Sequence, residues 1–348
     1  MLRLFSNANY DFIKVRAYAY GLTALILIPG LIFLLIKGLN YSIEFTGGTL
    51  IQIESSKPVD VGELRTGLDQ QGIHGAEIQN FGSQNEYVIR ARVAKPGSDA
   101  NDTQATAQAV RHALDTVVGA GNYVVSRTEA VGPKVGGELR QKAFLAIFLS
   151  FFAVLAYLAY RFEWRFGLAA VGATAHDILA TIVFIGVMQL EVSLTVVAAV
   201  LSMVGYSLND TIIIFDRVRE NLHKHKHESF EQILNRSVNE TLPRSILTHG
   251  TTLATLLALA VFGGEVIRPF ALVMFFGVFV GTFSSIYIAS PLLMAIEKRW
   301  PGPAARGHLA ASKKAPVVPP VSRKPQPVTS SSGPAGAAVG RAKGQRGR

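Results

Sequence analysis

The chain has 348 residues, of which 49% are hydrophobic, and a mean hydropathy of +0.30. This composition is too apolar for an ordinary soluble domain and indicates a membrane protein with a sizeable aqueous part. The absence of cysteine excludes a disulfide framework and a thiolate metal site. The formal charge of +10 arises after residue 296, because residues 297–348 hold eleven Lys or Arg and one acid. The excess charge is therefore no evidence of a nucleic-acid surface on the rest of the chain.

Six apolar stretches are long enough to cross a bilayer as helices, which requires about 20 residues each. The first is too long for a signal peptide and lacks a small-residue cleavage site, so we predict a retained anchor. Lys and Arg cluster beside alternate ends of the spans, which predicts cytoplasmic termini (1–16 and 300–348) and an exported segment at 37–141. The spans are 17–36, 142–160, 167–189, 192–215, 244–263 and 269–294, with a cytoplasmic loop at 216–243.

The exported segment 37–141 is predicted to fold as one small α+β domain. Its strand and helix patterns follow the order β-α-β-β-α-β, which is typical of a ferredoxin-like fold. Residues 41–55 alternate as a strand with a Gly-Gly interruption, and Asp60 is the predicted N-cap of the next helix. His74 and His112 stand alone, so the domain shows no catalytic constellation. Its fold by itself does not decide a function.

Three glycines lie in the sequence GPKVGGELR, which joins this domain to the second span. Gly132, Gly136 and Gly137 beside a proline predict a hinge that can change angle, since glycine tolerates backbone conformations that other residues avoid. An ordinary loop before a helix is the alternative interpretation of the same residues.

Two basic segments have weaker interpretations. The tract HKHKH at 223–227 could bind a metal, but the surrounding loop also has the pattern of a solvated amphipathic helix, so we predict no metal site. Residues 300–348 are rich in Pro, Ala, Ser, Lys and Arg and are predicted to be disordered, because they cannot build a core. Their charge would favour anionic lipid or ribosomal RNA, or they form a passive tail.

Three spans carry polar residues that lipid would reject. In the fourth span, GYSLND places Asn209 and Asp210 among apolar residues. In the third span, Asp177 shares a helical face with two threonines, and His176 lies beside that face. In the fifth span, Arg244 begins a polar stripe. Because two spans bear acids and one bears a base, we expect them to face one another. The stripe contains Arg244, Thr248, Thr251, Thr252 and Thr255.

The expected pair of Asp210 and Arg244 has a structural and a functional interpretation. A purely structural ion pair would stabilise the bundle weakly, because desolvating both charges offsets most of their attraction. In the functional interpretation, movement of Arg244 makes Asp210 take up or release a proton, and nearby hydroxyl groups hold the water that carries it. Protons are then the coupling ion, no other cofactor is required, and we predict that the chain is not an enzyme. Whether Asp177 lies on the proton path stays open.

Five motifs carry a resemblance to a known family. They are IEFTGGT, VGPKVGGEL, AHDIL, YSLNDTIIIFDRVREN and LNRSVNETLPRSILTHGTT, in that order along the chain. On these motifs, residues 8–299 resemble the SecF proteins of the SecD/SecF family, which belongs to the RND-like superfamily. The chain departs from the family at Phe215 and Pro243, where serine is frequent, and in its basic tail. Pro243 leaves the geometry of the neighbouring Arg244 undetermined.

The resemblance implies a specific biological setting. SecF-like proteins are α-helical membrane proteins of the bacterial inner membrane, with six spans and one periplasmic ferredoxin-like domain. They pair with SecD, join the SecYEG channel, with YajC and YidC as further candidates, and use the proton-motive force to promote preprotein translocation and release. The family's proton-path residues fall on Asp210 and Arg244, and its third-span acid on Asp177.

Two other functions fit parts of the pattern. An RND-type exporter of small molecules or lipids would use the same acids, but six spans and one small domain make only half of such a machine. A passive scaffold would hold emerging chains with purely structural charges. Copurification with SecD and SecYEG separates the exporter from the Sec subunit, and gradient dependence separates the scaffold from it.

Overall fold

The computed structural model of the protein describes residues 9–91, 103–161, 163–264 and 266–312. Within this part of the chain, six helical segments are long and apolar enough to cross a membrane, and a small α+β domain lies between the first two. This architecture confirms the predicted fold class.

In chain order the elements are α1 (Arg16–Lys37), α2 (Ile43–Thr46), β1 (Gly48–Ser55), α3 (Val61–Gln70), β2 (Glu77–Asn80), β3 (Glu86–Ala91), α4 (Thr103–Leu114, continued by a π turn at Asp115–Gly119), β4 (Tyr123–Val131), α5 (Pro133–Arg161), α6 (Trp164–Val187), α7 (Leu194–Lys224), α8 (Phe230–Phe262), α9 (Arg268–Ser284, continued by a π turn at Ser285–Ala289), α10 (Ser290–Arg299) and α11 (Arg306–Ser312).

The α+β domain is built on a four-stranded antiparallel sheet of order β2-β3-β1-β4. Helices α3 and α4 cover one face of the sheet and bury Ile51, Leu64 and Val110 against it. Asp60 is the N-cap of α3, where its Oδ1 accepts hydrogen bonds from Gly62 N at 2.8 Å and Glu63 N at 3.1 Å. This is the predicted ferredoxin-like order of strands and helices.

The predicted strand at 41–55 is wrong in its first half. Residues 43–46 form the short helix α2, and β1 begins only at Gly48. Gly47 and Gly48 have φ of +73° and +133°, values that L side chains rarely adopt. The Gly-Gly pair therefore turns the chain from α2 into the sheet, instead of interrupting a continuous strand.

The connection predicted at 216–243 is mostly helical, as its amphipathic pattern indicates, and its cytoplasmic placement stays a prediction. Helix α7 continues to Lys224 and α8 begins at Phe230, so only residues 225–229 connect them. Polar contacts join the two extensions: Arg217 Nε donates to Glu240 at 2.6 Å, and Asn221 Nδ2 donates to Ser237 at 3.0 Å. The polar and apolar residues of this segment alternate with the period of a solvated helix, and that pattern agrees with the observed helices.

The prediction of disorder from residue 300 onward is wrong for residues 300–312. Helix α11 packs against α8 and places the buried His308 between two backbone carbonyl groups, those of Glu228 at 2.6 Å and Leu222 at 3.1 Å. Residues 313–348 lie outside the described residues, so their predicted disorder and lipid contact stay predictions.

The membrane bundle is packed most closely where α9 meets α7. Gly277 and Gly281 line this contact, and a Cβ atom added at Gly277 would lie 2.2 Å from Met203 Cγ. A Cβ added at Gly281 would lie 2.8 Å from Ser207 Cβ. Small residues therefore let the two backbones approach, as is common between membrane helices. This close approach determines which side chains of α7 can meet polar groups from α6 and α9.

The predicted hinge is helical in this structure. Gly132 separates β4 from α5, whereas Gly136 and Gly137 lie inside α5. A Cβ added at Gly136 would lie 2.9 Å from Gly47 N and 3.3 Å from Glu44 O, while one added at Gly137 would meet nothing within 4 Å. Gly136 therefore allows α5 to pack against the backbone around α2. An ordinary loop is therefore limited to Gly132, and a change of angle stays a prediction.

These two neighbouring glycines give a matched test of that packing. We expect Gly136→Ala to destabilise the protein by about 1–3 kcal/mol, because backbone atoms must shift to admit the methyl group. Gly137→Ala should be neutral or stabilising by up to about 1 kcal/mol, because alanine favours a helix. Unfolding of the detergent-solubilised protein measures both changes. Equal effects of the two variants would contradict the packing assignment.

Candidate functional site

Asp210 lies inside the membrane bundle with one carboxylate oxygen bonded and the other free of partners. Its side chain is on α7 and the residue is only 2% exposed. Ser245 Oγ, from α8, donates to Asp210 Oδ1 at 2.6 Å. Among the described residues, the buried Asp210 Oδ2 has no hydrogen-bond partner, and the same holds for Nδ1 of the buried His249. Since buried polar atoms are nearly always bonded, these two exceptions indicate a functional position.

Arg244 does not form the expected buried pair with Asp210. Its side chain is exposed, and no ion pair joins it to Asp210, although both residues lie in the described part of the chain. Successive residues of an α-helix point about 100° apart, so only one of Arg244 and Ser245 can point at Asp210. Ser245 is that residue. The assignment of Arg244 to the proton path is therefore a prediction without a direct contact behind it.

The outward side of α7 and α8 is polar at membrane depth. We call the exposed residues Asn209, Arg244, Thr248, Thr251 and Thr255 the polar face. The hydroxyl groups of its threonines can be satisfied within their own helix, as Thr251 Oγ1 is by Leu247 O at 3.0 Å. The guanidinium and amide groups have no such partner in lipid. This face therefore requires contact with other protein or with water.

A hydrogen bond between side chains joins α7 and α8 about one helical turn from Asp210. Tyr206 OH and Thr252 Oγ1 lie 2.7 Å apart, and the Tyr206 ring lies edge-on to His249 with centroids 5.3 Å apart. Tyr206 is four residues before Asp210, so it stands one turn away on the same side of α7. The predicted residue Thr252 is thus placed beside the site, whereas Thr248 and Thr251 face outward.

Asp177 is placed in a different and fully bonded environment. Its Oδ2 accepts hydrogen bonds from Ser207 Oγ at 2.5 Å and Ser284 Oγ at 2.7 Å, and its Oδ1 lies 2.9 Å from His176 Nδ1. These contacts join α6, α7 and α9, and the residue is 1% exposed. Asp177 therefore stabilises the packing of three helices. Ser207, which donates to Asp177, lies three residues before Asp210 on α7.

Four contributors to the site escaped the sequence-based prediction: Ser207, Ser245, His249 and Ser284. Ser245 and His249 do carry a signal, because they are spaced i, i+4 and so share a helical face next to the Arg244 stripe. Ser207 and Ser284 carry none, since a single serine in an apolar helix is commonly satisfied by its own backbone.

The groups of the arrangement that can carry chemistry are ionisable side chains. Within the described residues, no three His, Asp or Glu side chains are grouped closely enough to hold a metal ion. The His223 to His227 tract lies at the end of α7 and in the turn before α8, where His223 Nδ1 lies 2.7 Å from Arg219 O. The ionisable side chains buried beside the unbonded Asp210 Oδ2 are the carboxyl group of Asp210 and the imidazole of His249.

Comparison with known proteins assigns the family. Residues 110–299 match the model of "Protein export membrane protein SecD/SecF, C-terminal", and residues 32–59 match the "SecD/SecF GG Motif". A Gemmatimonas aurantiaca protein named protein translocase subunit SecF is 56% identical over 86% of this chain and 91% of its own length. The chain belongs to the SecD/SecF family. The SecF of Escherichia coli O157:H7 is 37% identical over 82% of this chain and 88% of its own length.

Solved structures of the SecD/SecF family show the same fold. The crystal structure of SecDF from Thermus thermophilus has a TM-score of 0.75 and 36% sequence identity, covering 84% of this chain. A second SecDF structure, in a "super-membrane-facing form", has a TM-score of 0.61 and 35% identity. This chain spans about two fifths of the length of either SecDF chain, 39% and 40% respectively.

Membership of the SecD/SecF family favours a protein-export subunit over an exporter of small molecules or lipids. The relatives are named translocase subunits, so the alternative of an exporter of small molecules or lipids is not favoured. The chain is a multi-pass membrane protein of a protein-export family. The family-model match over residues 110–299 includes both acids, Arg244 and every threonine of the polar face.

Proposed function

We propose that this chain is the SecF subunit of a bacterial Sec export machinery, which pairs with SecD and uses the proton-motive force to promote preprotein translocation and release. The observation that carries the proposal is the polar face beside the incompletely bonded Asp210. A carboxyl group at membrane depth costs at least about 2.5 kcal/mol. A carboxyl group that changes its charge during a working cycle gives a functional reason for this free-energy cost.

The pairing with SecD follows from what the polar face requires. Asn209 and Arg244 point away from the rest of the chain at membrane depth, where lipid cannot satisfy them. A second bundle of membrane helices would cover them and bring further polar groups to Asp210. The SecDF chains that this protein resembles are more than twice as long as this chain, which supports such a partner.

The proton step uses groups of this chain. With Asp210 Oδ1 held by Ser245, the unbonded Oδ2 is the atom that takes up the proton. Burial disfavours a charged carboxylate, and approach of Arg244 favours it, so a shift of α8 against α7 would change the proton occupancy. His249, four residues after Ser245, is positioned to pass the proton on, because it is buried with an unbonded Nδ1 and an imidazole ring can both accept and donate a proton.

The cellular setting in this proposal is the bacterial inner membrane, with both termini cytoplasmic. The positive-inside bias of the short loops supports that orientation, which places the α+β domain in the periplasm. There the domain meets preprotein chains that emerge from the SecYEG channel. YajC and YidC remain candidate partners, and anionic lipid a candidate contact of the basic tail.

The test is preprotein translocation into inverted membrane vesicles that lack their own SecD and SecF. Vesicles receive this chain, a SecD partner, both or neither, and each is assayed with and without a proton gradient. We expect the gradient to stimulate translocation only when both proteins are present. Equal translocation in all four preparations would overturn the proposal.

A further inference from the structure

The α+β domain is tied to the start of α7 by a short backbone pairing. The loop between α6 and α7 lies beside the chain that follows α1: Ser42 N donates to Val192 O at 3.0 Å, and Val192 N donates to Asn40 O at 2.7 Å. Two side-chain links reinforce this contact. We call Glu44, Arg90 and Glu191 the junction.

The first link of the junction is a carboxylate at the beginning of α7. Glu44 lies in α2, and its Oε2 accepts a hydrogen bond from Leu194 N, the first residue of α7, at 2.5 Å. The N-terminal N–H groups of a helix lack partners within the helix, and the helix dipole favours a negative charge there. Ser193 caps the same end through Val196 N. The first turn of α7 is therefore capped both by Ser193, which directly precedes it, and by Glu44 from α2.

The second link is an ion pair between the sheet and the loop. Arg90, on β3, is 8% exposed, and its Nη2 donates to Glu191 Oε2. Its Nη1 lies 3.6 Å from Glu77 Oε2, yet neither Nη1 nor Nε has a hydrogen bond to any residue that the structure describes. A buried guanidinium group with two incompletely satisfied nitrogens is not fixed to one partner. The pair can therefore separate without breaking a complete hydrogen-bond network.

The environment of Glu191 makes this ion pair weak. Burial raises the pKa of Glu191, although the Arg90 guanidinium beside it favours the charged carboxylate. Desolvation of both charges thus offsets much of their attraction. The link holds the junction closed by a small margin, which suits a contact that opens and closes during a cycle.

Helix α7 connects the junction to Asp210 without interruption. It runs from Leu194 to Lys224 as one α-helix, and Asp210 follows Leu194 by sixteen residues. At 1.5 Å per residue, the two positions are about 24 Å apart along the axis. A displacement of the start of α7 by the junction therefore moves Asp210 relative to Ser245 on α8.

We propose that Glu44, Arg90 and Glu191 are positioning residues that couple movement of the α+β domain to Asp210 through α7. The proposal rests on the proposed function, because it assigns the route by which proton binding at Asp210 reaches the domain. Closing of the Arg90–Glu191 pair sets the position of α7, and its opening releases the domain from the membrane helices.

Because the chain contains no cysteine, a single introduced cysteine can report specifically on the opening of the junction. Val88 is 5% exposed and lines the cavity between the sheet and the loop, so Val88→Cys reacts only when the junction opens. The variant is reconstituted with SecD in proteoliposomes, and its labelling rate with a membrane-impermeant maleimide is measured. Arg127→Gln is the matched control, because Arg127 lines the same cavity but pairs with Glu129 on its own strand.

The expected results separate coupling from simple docking. Arg90→Gln and Glu191→Gln should each raise the labelling rate about tenfold, whereas Arg127→Gln should not change it. The exchange Arg90→Glu with Glu191→Arg should restore slow labelling. Asp210→Asn should change the rate when Arg90 is present and have no effect in the Arg90→Gln background.

Two outcomes would overturn the proposal. Labelling of Arg90→Gln at the rate of the parent would mean that the pair does not hold the junction. An equal effect of Asp210→Asn with and without Arg90 would mean that the pair carries no coupling. Neither readout requires translocation, so failure of this proposal is distinguishable from failure of the proposed function, which the gradient assay alone decides.

Discussion

Asp210→Asn is expected to abolish the stimulation of preprotein translocation by a proton gradient, so that the rates with and without a gradient become equal. Asparagine keeps the size of the side chain and can still accept the hydrogen bond from Ser245 Oγ, but it cannot take up a proton. Translocation into inverted vesicles that contain this chain and SecD measures the effect. Copurification with SecD verifies that the complex still assembles.

Two further carboxyl groups are the controls for this prediction. Asp216 lies on the same helix, is 60% exposed and pairs with Arg161 at 3.6 Å, so Asp216→Asn should keep the full stimulation. Asp177→Asn should keep part of it, because the hydrogen bonds of Asp177 serve packing. Full stimulation in Asp210→Asn, or equal loss in all three variants, would contradict the assignment.

Arg165→Met is expected to lower the free energy of unfolding by about 3 kcal/mol, within the range for breaking a buried ion pair. Arg165 Nε donates to Glu297 Oε1 at 3.0 Å, and the Glu297 side chain is 2% exposed. The variant leaves a buried carboxylate without its cation. We expect the lower end of the range, because Gly302 N still donates to Glu297 Oε2 at 2.7 Å. Unfolding of the protein in detergent measures the change.

The double variant with Arg165→Met and Glu297→Met is the control. Removing both charges leaves no uncompensated ion, so most of the lost stability should return. An unchanged stability of the single variant would mean that solvent reaches Glu297 and replaces the arginine. A double variant as unstable as the single one would assign the effect to packing around Arg165 instead.

The sequence predicts the membrane spans and the α+β domain well because both depend on patterns that repeat over many residues. A span of about 20 apolar residues has few alternatives. In the domain, strand alternation and the Asp60 cap fix the element order, and burial of one sheet face fixes the register. The prediction fails at 43–46, where backbone freedom at Gly47 and Gly48 decides the structure. Within 216–243 the sequence indicates a helix, but its exact ends depend on contacts such as Arg217–Glu240.

The candidate site is only partly predictable because it depends on the rotation of each helix about its axis. Periodicity groups Arg244 with its threonine stripe correctly, but it does not state which face of α8 meets α7. The structure turns the neighbouring face inward, so that Ser245 contacts Asp210 and Arg244 lies outside. Contacts between distant residues, such as that of Ser245 with Asp210, accompany that rotation. Such contacts leave no local signal in the sequence.

The most direct measurement of the central claim is an infrared difference spectrum of the reconstituted complex with SecD, recorded between acidic and alkaline pH. If Asp210 changes its protonation state, the spectrum of the parent will contain the C=O stretching band of a protonated carboxyl group that is missing from Asp210→Asn. The same band should persist in Asp216→Asn. Identical difference spectra for the parent and Asp210→Asn would contradict the account, because the carboxyl group of Asp210 would then keep one charge throughout.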